Sequence, residues 1–279
     1  MTVADRPLAG EDLTRRLAEQ VLGAPVQTEV LKYKDGRRRT TRVRGPRGSA
    51  IVKAYCSPRA PTVARRVRLL GAGPPEPLVP HVLLLAAPWR VLVLSEVPGA
   101  PLREALLSGD VDSCARAGAA LAGWHLAFRG AESQALRRHT IERELSTLER
   151  KAEEADPRIG RAVRAMAREL GGPWECSTVV HRDLYEEQIV LGDRVGLIDL
   201  DDSALGPPEL DLGNLCAHVE LLGMRSGRPL GHELTAFLDG YRGTAPQVDP
   251  ALVERCRALS ALRLACIHGE HSLLERAAA

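Results

Sequence analysis

The segment spanning residues 179–202 constrains the fold of this chain more than any other part of the sequence. After a short apolar strand and a polar loop it contains two apolar runs, Gln188–Leu191 and Arg194–Ile198. Gly192-Asp193 separates these runs, and a glycine in the first position favours a two-residue β-hairpin turn. Folding this hairpin returns Asp199, at the end of its second strand, to the beginning of its first strand.

The polar residues of this segment resemble the kinase pattern H-R-D-x-x-x-x-N and the metal-binding strand that follows it. In that pattern the Asp orients or deprotonates the attacking hydroxyl, and the fifth residue on and a further Asp hold magnesium. Here Asp183 follows His181, Gln188 stands in the fifth position, and Asp199 closes the second strand. The alternative is that both aspartates only cap turns; the order of strand, triplet, hairpin and Asp favours the kinase interpretation.

Beyond the loop, the chain resembles the aminoglycoside phosphotransferase and choline kinase-like family. The similar segments are A-L-G-P-P-E-L-D-L-G-N at 204–214, L-V-L-S-E-V-P-G at 92–99 and A-I-V-K-A-Y at 50–55. The resemblance implies that Asp211 and His181 brace the catalytic loop. It also implies that Ser95, Glu96 and Val97 form a hinge whose backbone binds adenine.

The periodicity changes from strand-like to helical along the chain. Alternation predicts strands at 30–33, 40–43, 50–55, 81–86 and 91–94. Helical spacing predicts helices at 11–23, 63–70, 111–128, 134–170 (one or two, mostly solvated), 210–224, 232–241 and 250–275. We expect an α+β, two-lobed protein-kinase-like fold. Residues 1–97 would form a small β-rich nucleotide-binding lobe, and residues 98–279 a larger α-helical catalytic and substrate lobe.

Lys53 stands in the middle of an apolar strand pattern, where lysine is rare without a partner. In kinases the corresponding lysine binds the α- and β-phosphates and is held by a helix Glu; a lysine that extends from a strand edge into water is the alternative. No acidic residue lies between Lys53 and Gly73, and the first that follows is Glu76. Either Glu76 replaces the helix Glu, or phosphate and Asp199 alone hold the lysine.

The loop expected to cover the nucleotide contains a single glycine, Gly36, followed by Arg37, Arg38 and Arg39. Kinases use several glycines here because backbone N–H groups must approach phosphate closely. The arginines could supply that charge through their side chains, or they could form a solvated basic hairpin. A nucleic-acid patch is a third option, but aromatic residues make up only 3% of the chain, so we expect no nucleic-acid partner.

Charge is distributed unevenly between the two predicted lobes. Residues 1–97 carry 17 basic and 8 acidic residues, and the remainder carries 21 and 28. A basic first lobe suits a polyphosphate, and an acidic second lobe suits a neutral or cationic acceptor, for which Glu186, Asp201 and Asp202 are candidate contacts. We expect no membrane partner, because no apolar run approaches a membrane span, and six scattered cysteines favour the cytoplasm.

These observations predict an ATP- and Mg²⁺-dependent phosphotransferase that acts on a hydroxyl of a small molecule, aminoglycoside-like, choline-like or another hydroxylated metabolite. The competing hypothesis is a pseudokinase, a nucleotide- or ligand-binding module without turnover. The missing helix Glu, the sparse glycines and Gln188 favour the pseudokinase, and Asp183, Asp199 and Lys53 favour the enzyme. His125, within a small-residue helix, is interpreted as a packed core histidine.

Overall fold

A computed structural model describes residues 9–278, which divide into two compact units. The first contains the described chain up to Gly73 together with Leu78–Pro98, and the second contains Pro74–Pro77 and the chain from Gly99 onward. The segment Pro74–Pro77 therefore belongs to the second unit although the first surrounds it in sequence. Within residues 9–278, no helix combines the length and apolarity needed to span a bilayer.

The first unit is built on one antiparallel five-stranded sheet with the strand order β1-β2-β3-β5-β4. Its elements are α1 (Glu11–Leu22), β1 (Gln27–Lys34), β2 (Arg38–Gly45), β3 (Gly48–Tyr55), α2 (Ala60–Leu70), β4 (Val82–Ala86) and β5 (Val91–Ser95). All five strands lie where alternation predicts them. The first three are longer than predicted because backbone pairing continues through the flanking polar residues.

The two faces of this sheet differ in what they contact. Ala50, Val52 and Ala54 of β3 join a buried core with the apolar side of α1. Side chains alternate along a strand, so Ile51 and Lys53 lie on the opposite face. Lys53 is nevertheless only 4% exposed, in register with β2 and β5 on either side.

The second unit is mainly helical. Its helices are α3 (Leu102–Ser108), α4 (Val111–Ala127), α5 (Ile141–Glu154), α6 (Pro157–Glu169), α7 (Pro208–Ser226), α8 (Gly231–Thr244), α9 (Pro250–His268) and α10 (Ser272–Ala278). The prediction of one helix over 250–275 is wrong, because Gly269 adopts a left-handed φ of 69° and ends α9. Helices α5 and α6 are less solvated than predicted, since Leu148 and Val163 are buried in a core shared with α9.

Helices α4 and α8 approach each other closely because both carry glycine at the contact. A Cβ atom added to Gly118 would overlap the carbonyl oxygen of Phe237, and one added to Gly240 would overlap that of Ala115. The small-residue pattern of α4 is therefore a packing requirement. It brings α8, and with it Tyr241, beside His125.

Short strands carry the segment that the sequence singled out. They are β6 (Ala100–Pro101), β7 (Thr178–Val180), β8 (Ile189–Leu191), β9 (Val195–Leu197) and β10 (Ala204–Gly206), arranged as β6-β8-β9 and β10-β7. The β8–β9 hairpin forms, but its turn has three residues, since Leu191 pairs with Val195. The prediction of a two-residue turn is wrong because Arg194 joins Gly192 and Asp193 in the loop instead of pairing.

Candidate active site

The predicted catalytic loop follows β7, and one carboxylate from the first turn of α7 holds it in place. Asp211 is fully buried and accepts hydrogen bonds from two successive backbone N–H groups, those of His181 (2.6 Å) and Arg182 (2.7 Å). Hydrogen bonds to an ionised acceptor are short and strong. They hold Arg182 in a left-handed conformation with φ of 72°, which a non-glycine residue adopts only when its surroundings impose it.

A second layer supports the clamp from α4 and α8. The His125 ring lies 3.1 Å through Nε2 from the Asp211 carboxylate and 2.8 Å through Nδ1 from the Tyr241 hydroxyl. A neutral imidazole satisfies both contacts when Nε2–H donates to Asp211 and the tyrosine hydroxyl donates to Nδ1. His125 is buried, and it links the α4–α8 contact to the catalytic loop.

A second network of polar side chains contacts the loop at Leu184, the residue after Asp183. The Asn214 amide donates to the backbone oxygen of Leu184 (2.6 Å), and Arg263 donates to the Asn214 amide oxygen. Arg263 also contacts Glu144 (3.3 Å), which in turn contacts His139 (2.9 Å). Burial acts to raise the pKa of Glu144, but the His139 hydrogen bond and the Arg263 charge outweigh it and lower that pKa.

The predicted catalytic loop is hydrogen-bonded directly to the predicted metal strand. The His181 ring donates through Nε2 to the backbone oxygen of Ile198 (2.7 Å), and the Ile198 N–H donates to the backbone oxygen of Gln188 (3.0 Å). Asp199 follows with a left-handed φ of 61°. These bonds fix Asp199 next to Gln188, as closing the hairpin requires.

Tyr185 senses the charges of both Asp183 and Asp199 and is hydrogen-bonded to Gln188. Burial, followed by the negative charges of Asp183 and Asp199, raises the pKa of Tyr185 to about 12. A side-chain hydrogen bond from Gln188 acts in the opposite direction, as expected when an amide N–H donates to the phenol oxygen. Gln188 itself is buried, whereas Asp183 is exposed.

The donor set fits a magnesium ion. Gln188 and Asp199 offer an amide and a carboxylate oxygen, the ligand type that Mg²⁺ prefers, and kinase-type sites take their remaining ligands from phosphate and water. Among residues 9–278, no group of three His, Cys, Asp or Glu side chains could hold a metal by itself. Gln188 and Asp199 are therefore the predicted metal ligands, and their oxygen atoms are of the type that suits Mg²⁺.

Glu76 is engaged in the second unit's own hairpin. Its carboxylate accepts a hydrogen bond from the backbone N–H of Val195 in β9 (2.7 Å), and the neighbouring Pro75 carbonyl accepts one from Arg194 (3.2 Å). This contact explains why Pro74–Pro77 belongs to the second unit. Helix α2, which follows the Lys53 strand, contains no acidic residue.

The arginine-rich hairpin is divided between the two faces of the first unit's sheet. Arg39 donates to the Ala9 carbonyl (2.5 Å) and to the Thr14 hydroxyl (3.2 Å), on the face covered by α1. Arg38 lies one residue earlier, so its side chain belongs to the Lys53 face. Of the two, Arg38 therefore shares the face of the predicted phosphate lysine.

The hinge residues follow the end of β5. The Ser95 N–H donates to the His81 backbone oxygen (2.9 Å), and the Ser95 hydroxyl oxygen accepts from the His81 N–H (2.8 Å). Glu96 and Val97 lie beyond the strand and are partly exposed. The Glu96 carboxylate accepts a hydrogen bond from Arg42 Nε (2.7 Å), a contact that the sequence analysis missed.

The acidic residues predicted to contact the acceptor differ in how deeply they are buried. Glu186 has a buried carboxylate oxygen without a hydrogen-bond partner in the described chain, and burial raises its pKa. Asp201 is 1% exposed, whereas Asp202 is partly exposed. Beside Glu186, the Tyr185 ring stacks on His218 at 5.0 Å, and burial lowers the pKa of His218 to about 3, which keeps its ring neutral.

The comparisons agree with this architecture. The family model described as APH, phosphotransferase enzyme family, matches residues 32–251, more than three quarters of the chain. A comparison with curated protein sequences gives no match.

Several solved structures are similar over nearly the whole chain. A choline kinase from Cryptosporidium parvum Iowa II has a TM-score of 0.67 at 12% identity, covering 96% of this chain and 92% of its own. The amicoumacin kinase hAmiN, in complex with AMP-PNP, Ca²⁺ and Ami, has a TM-score of 0.71 at 17% identity, with coverages of 96% and 92%. The choline kinase LicA from Streptococcus pneumoniae has a TM-score of 0.65 at 15% identity, with coverages of 96% and 97%.

At these identities the similarity concerns the fold alone. The predicted α+β, two-lobed protein-kinase-like fold is confirmed, with a small antiparallel-sheet part and a larger helical part. The predicted family resemblance is confirmed as well.

Proposed function

Because the chain belongs to the phosphotransferase enzyme family, we propose that it transfers the γ-phosphate of ATP, with Mg²⁺, to a hydroxyl of a small molecule. The observation that carries this proposal is the Asp211 clamp on the N–H groups of His181 and Arg182, with the exposed Asp183 directly after it. A strained loop held by buried polar side chains from three helices is costly. It is understandable where a side chain must be positioned for chemistry.

In the proposed reaction Asp183 orients the acceptor hydroxyl and takes its proton. The hydroxyl oxygen bonds to the γ-phosphorus while the bond from that phosphorus to the bridging oxygen breaks, and ADP leaves with the electron pair. Most of the rate enhancement would come from positioning and charge stabilisation. Asp211 accepts a hydrogen bond from the Arg182 N–H and Asn214 donates one to the Leu184 carbonyl, and these bonds on both sides of Asp183 support such positioning.

The remaining groups have separate roles in the proposal. Mg²⁺, when bound, neutralises the triphosphate charge. Gln188 and Asp199 would hold it through oxygen atoms, and Lys53 would bind the phosphates. The backbone of Ser95, Glu96 and Val97 would bind the base. The amicoumacin kinase with this fold, solved with AMP-PNP, supports the choice of nucleotide.

We propose a cationic or polyhydroxylated amine as the acceptor. The residues after position 97 carry 21 basic and 28 acidic residues, and a cation among carboxylates relieves their mutual repulsion. Glu186, with its unpartnered oxygen, and Asp202 are the proposed contacts, and the buried Asp201 would contribute through its field. Choline kinases and an amicoumacin kinase among the similar folds are compatible with this class.

The test is Mg²⁺-dependent ATP consumption with acceptor alcohols matched in length, one series carrying an amine and the other a carboxylate. We expect stimulation by the amines that weakens as salt rises, and none with an Asp183→Ala variant. Preference for the carboxylates would contradict the acceptor class. Binding of Mg-ATP without consumption on any acceptor would favour the pseudokinase alternative.

A further inference from the structure

Arg42 lies on the same face of the sheet as Lys53. It is opposite Ile51 in the β2–β3 register, and Thr40, two residues before it, is opposite Lys53. Ile51 is in turn opposite Leu94 of β5. Arg42, Ile51 and Leu94 therefore form one row across β2, β3 and β5. Lys53, the proposed phosphate lysine, lies two residues after Ile51 along β3. Glu96 lies two residues after Leu94, just beyond β5.

The guanidinium of Arg42 is anchored from two sides. Its Nε lies 2.7 Å from Glu96 Oε1, and its Nη1 lies 3.3 Å from Glu29 Oε2. The side chains of Arg42 and Glu96 are only 29% and 21% exposed. Two carboxylates at different guanidinium nitrogens restrict the rotation of the planar group, and they offset its charge in a row otherwise made of apolar side chains.

We propose that Arg42, held by Glu96, is the base-recognition residue of the nucleotide site. The proposal rests on the proposed function, in which the hinge backbone beside Glu96 binds the base. A guanidinium plane held over a purine ring stacks on its π-face and gains a cation–π interaction. The larger ring system of a purine gains more from this contact than a pyrimidine does.

A structural role makes a different prediction from base recognition. If the Arg42–Glu96 pair only ties the hinge to β2, its loss would lower the stability of the first unit and weaken all nucleotides equally. If Arg42 instead bound phosphate, its loss would also weaken all nucleoside triphosphates equally. Base recognition alone makes the loss depend on the base.

The experiment measures binding of Mg-ATP, Mg-GTP, Mg-CTP and Mg-UTP to the full chain and to Arg42→Val, Arg42→Lys and Glu96→Gln. We expect Arg42→Val to weaken the purine nucleotides by about 5- to 30-fold, the value of a partly desolvated cation–π contact. The pyrimidine nucleotides should change by less than about threefold, so the purine preference shrinks. Arg42→Lys, which keeps the charge but loses the plane, should resemble Arg42→Val, and Glu96→Gln should be intermediate.

The matched control is Arg44→Val. Arg44 lies on the same strand face, two residues further along, and also contacts Glu29 (3.2 Å), but it is 55% exposed and has no role in the proposal. Its purine and pyrimidine affinities should match the wild type.

Thermal unfolding of each variant identifies any that fails to fold, in which case Arg42→Lys decides. Equal weakening of all four nucleotides, or none, overturns the base-recognition proposal, whereas a folded wild-type chain that binds no Mg-nucleotide overturns the proposed function.

Discussion

Replacing Asp211 with Asn should disrupt the predicted catalytic loop, because three donors converge on the Asp211 carboxylate. The carboxylate accepts three hydrogen bonds, at 2.6 Å and 2.7 Å from the N–H groups of His181 and Arg182 and at 3.1 Å from His125 Nε2. Asparagine keeps one oxygen and turns an NH₂ group toward a donor, so at least one buried N–H loses its partner. The bonds that remain lose their charge assistance.

The magnitude follows from these contacts. Leaving a buried donor unsatisfied costs about 1–3 kcal/mol, and losing charge assistance on the remaining bonds costs about 1 kcal/mol more. We therefore expect the free energy of unfolding to fall by about 3 kcal/mol. Because the left-handed Arg182 next to Asp183 would no longer be held, kcat should fall by about two orders of magnitude or more.

Denaturant unfolding and steady-state kinetics measure the two effects. Tyr241→Phe removes only the outer hydrogen bond to His125 and should cost about 1 kcal/mol. Asp239→Asn is the control, since its 66% exposed carboxylate makes only a 3.5 Å surface contact with Arg242, and it should change stability by less than about 0.5 kcal/mol. If Asp211→Asn behaved like Asp239→Asn in both assays, the clamp would not be what holds the loop.

Three further predictions concern the chemistry, the hairpin and pH. Asp183→Ala should lower turnover by about two to four orders of magnitude and leave the affinity for Mg-ATP unchanged in a binding assay. Asp199→Ala should lower both turnover and the affinity for Mg-ATP. Wild-type turnover in both variants would contradict the proposed function. Glu76→Gln should have little effect, because the amide oxygen still accepts from Val195 N–H, and Glu76→Ala should lower stability by about 1–3 kcal/mol in denaturant unfolding; a large loss of nucleotide affinity in Glu76→Gln would instead indicate a role with phosphate. The pKa of Glu144 is lowered in the folded state, so the ionised carboxylate stabilises the fold above the unfolded pKa of about 4.3, and this stabilisation is lost as pH falls through the lowered value. The difference in free energy of unfolding between wild type and Glu144→Gln should therefore shrink on acidification in denaturant unfolding. A constant difference from pH ~7 to ~3 would refute the linkage.

Sequence patterns predicted what depends on neighbouring residues. The five strands before residue 97 follow from alternation, and the β8–β9 hairpin follows from two apolar runs around Gly192-Asp193, because side-chain period and turn residues are local properties. Two predicted boundaries are wrong: Arg194 lies in the turn, and Gly269 ends α9 within a predicted helix. In both places a single residue's conformation outweighed the apolar pattern.

By itself, the sequence determined the order of the chemical groups, from Lys53 through Asp183 to Asp199, and the strands and loops that carry them. Only the tertiary structure decided which distant polar residues contact each other around these groups. Arg42 meets Glu96 across 54 residues, and Glu144 meets Arg263 across 119. Periodicity carries no information about such pairs. Strand register and helix packing bring their polar atoms together, and buried polar groups are stable only where that packing supplies a partner.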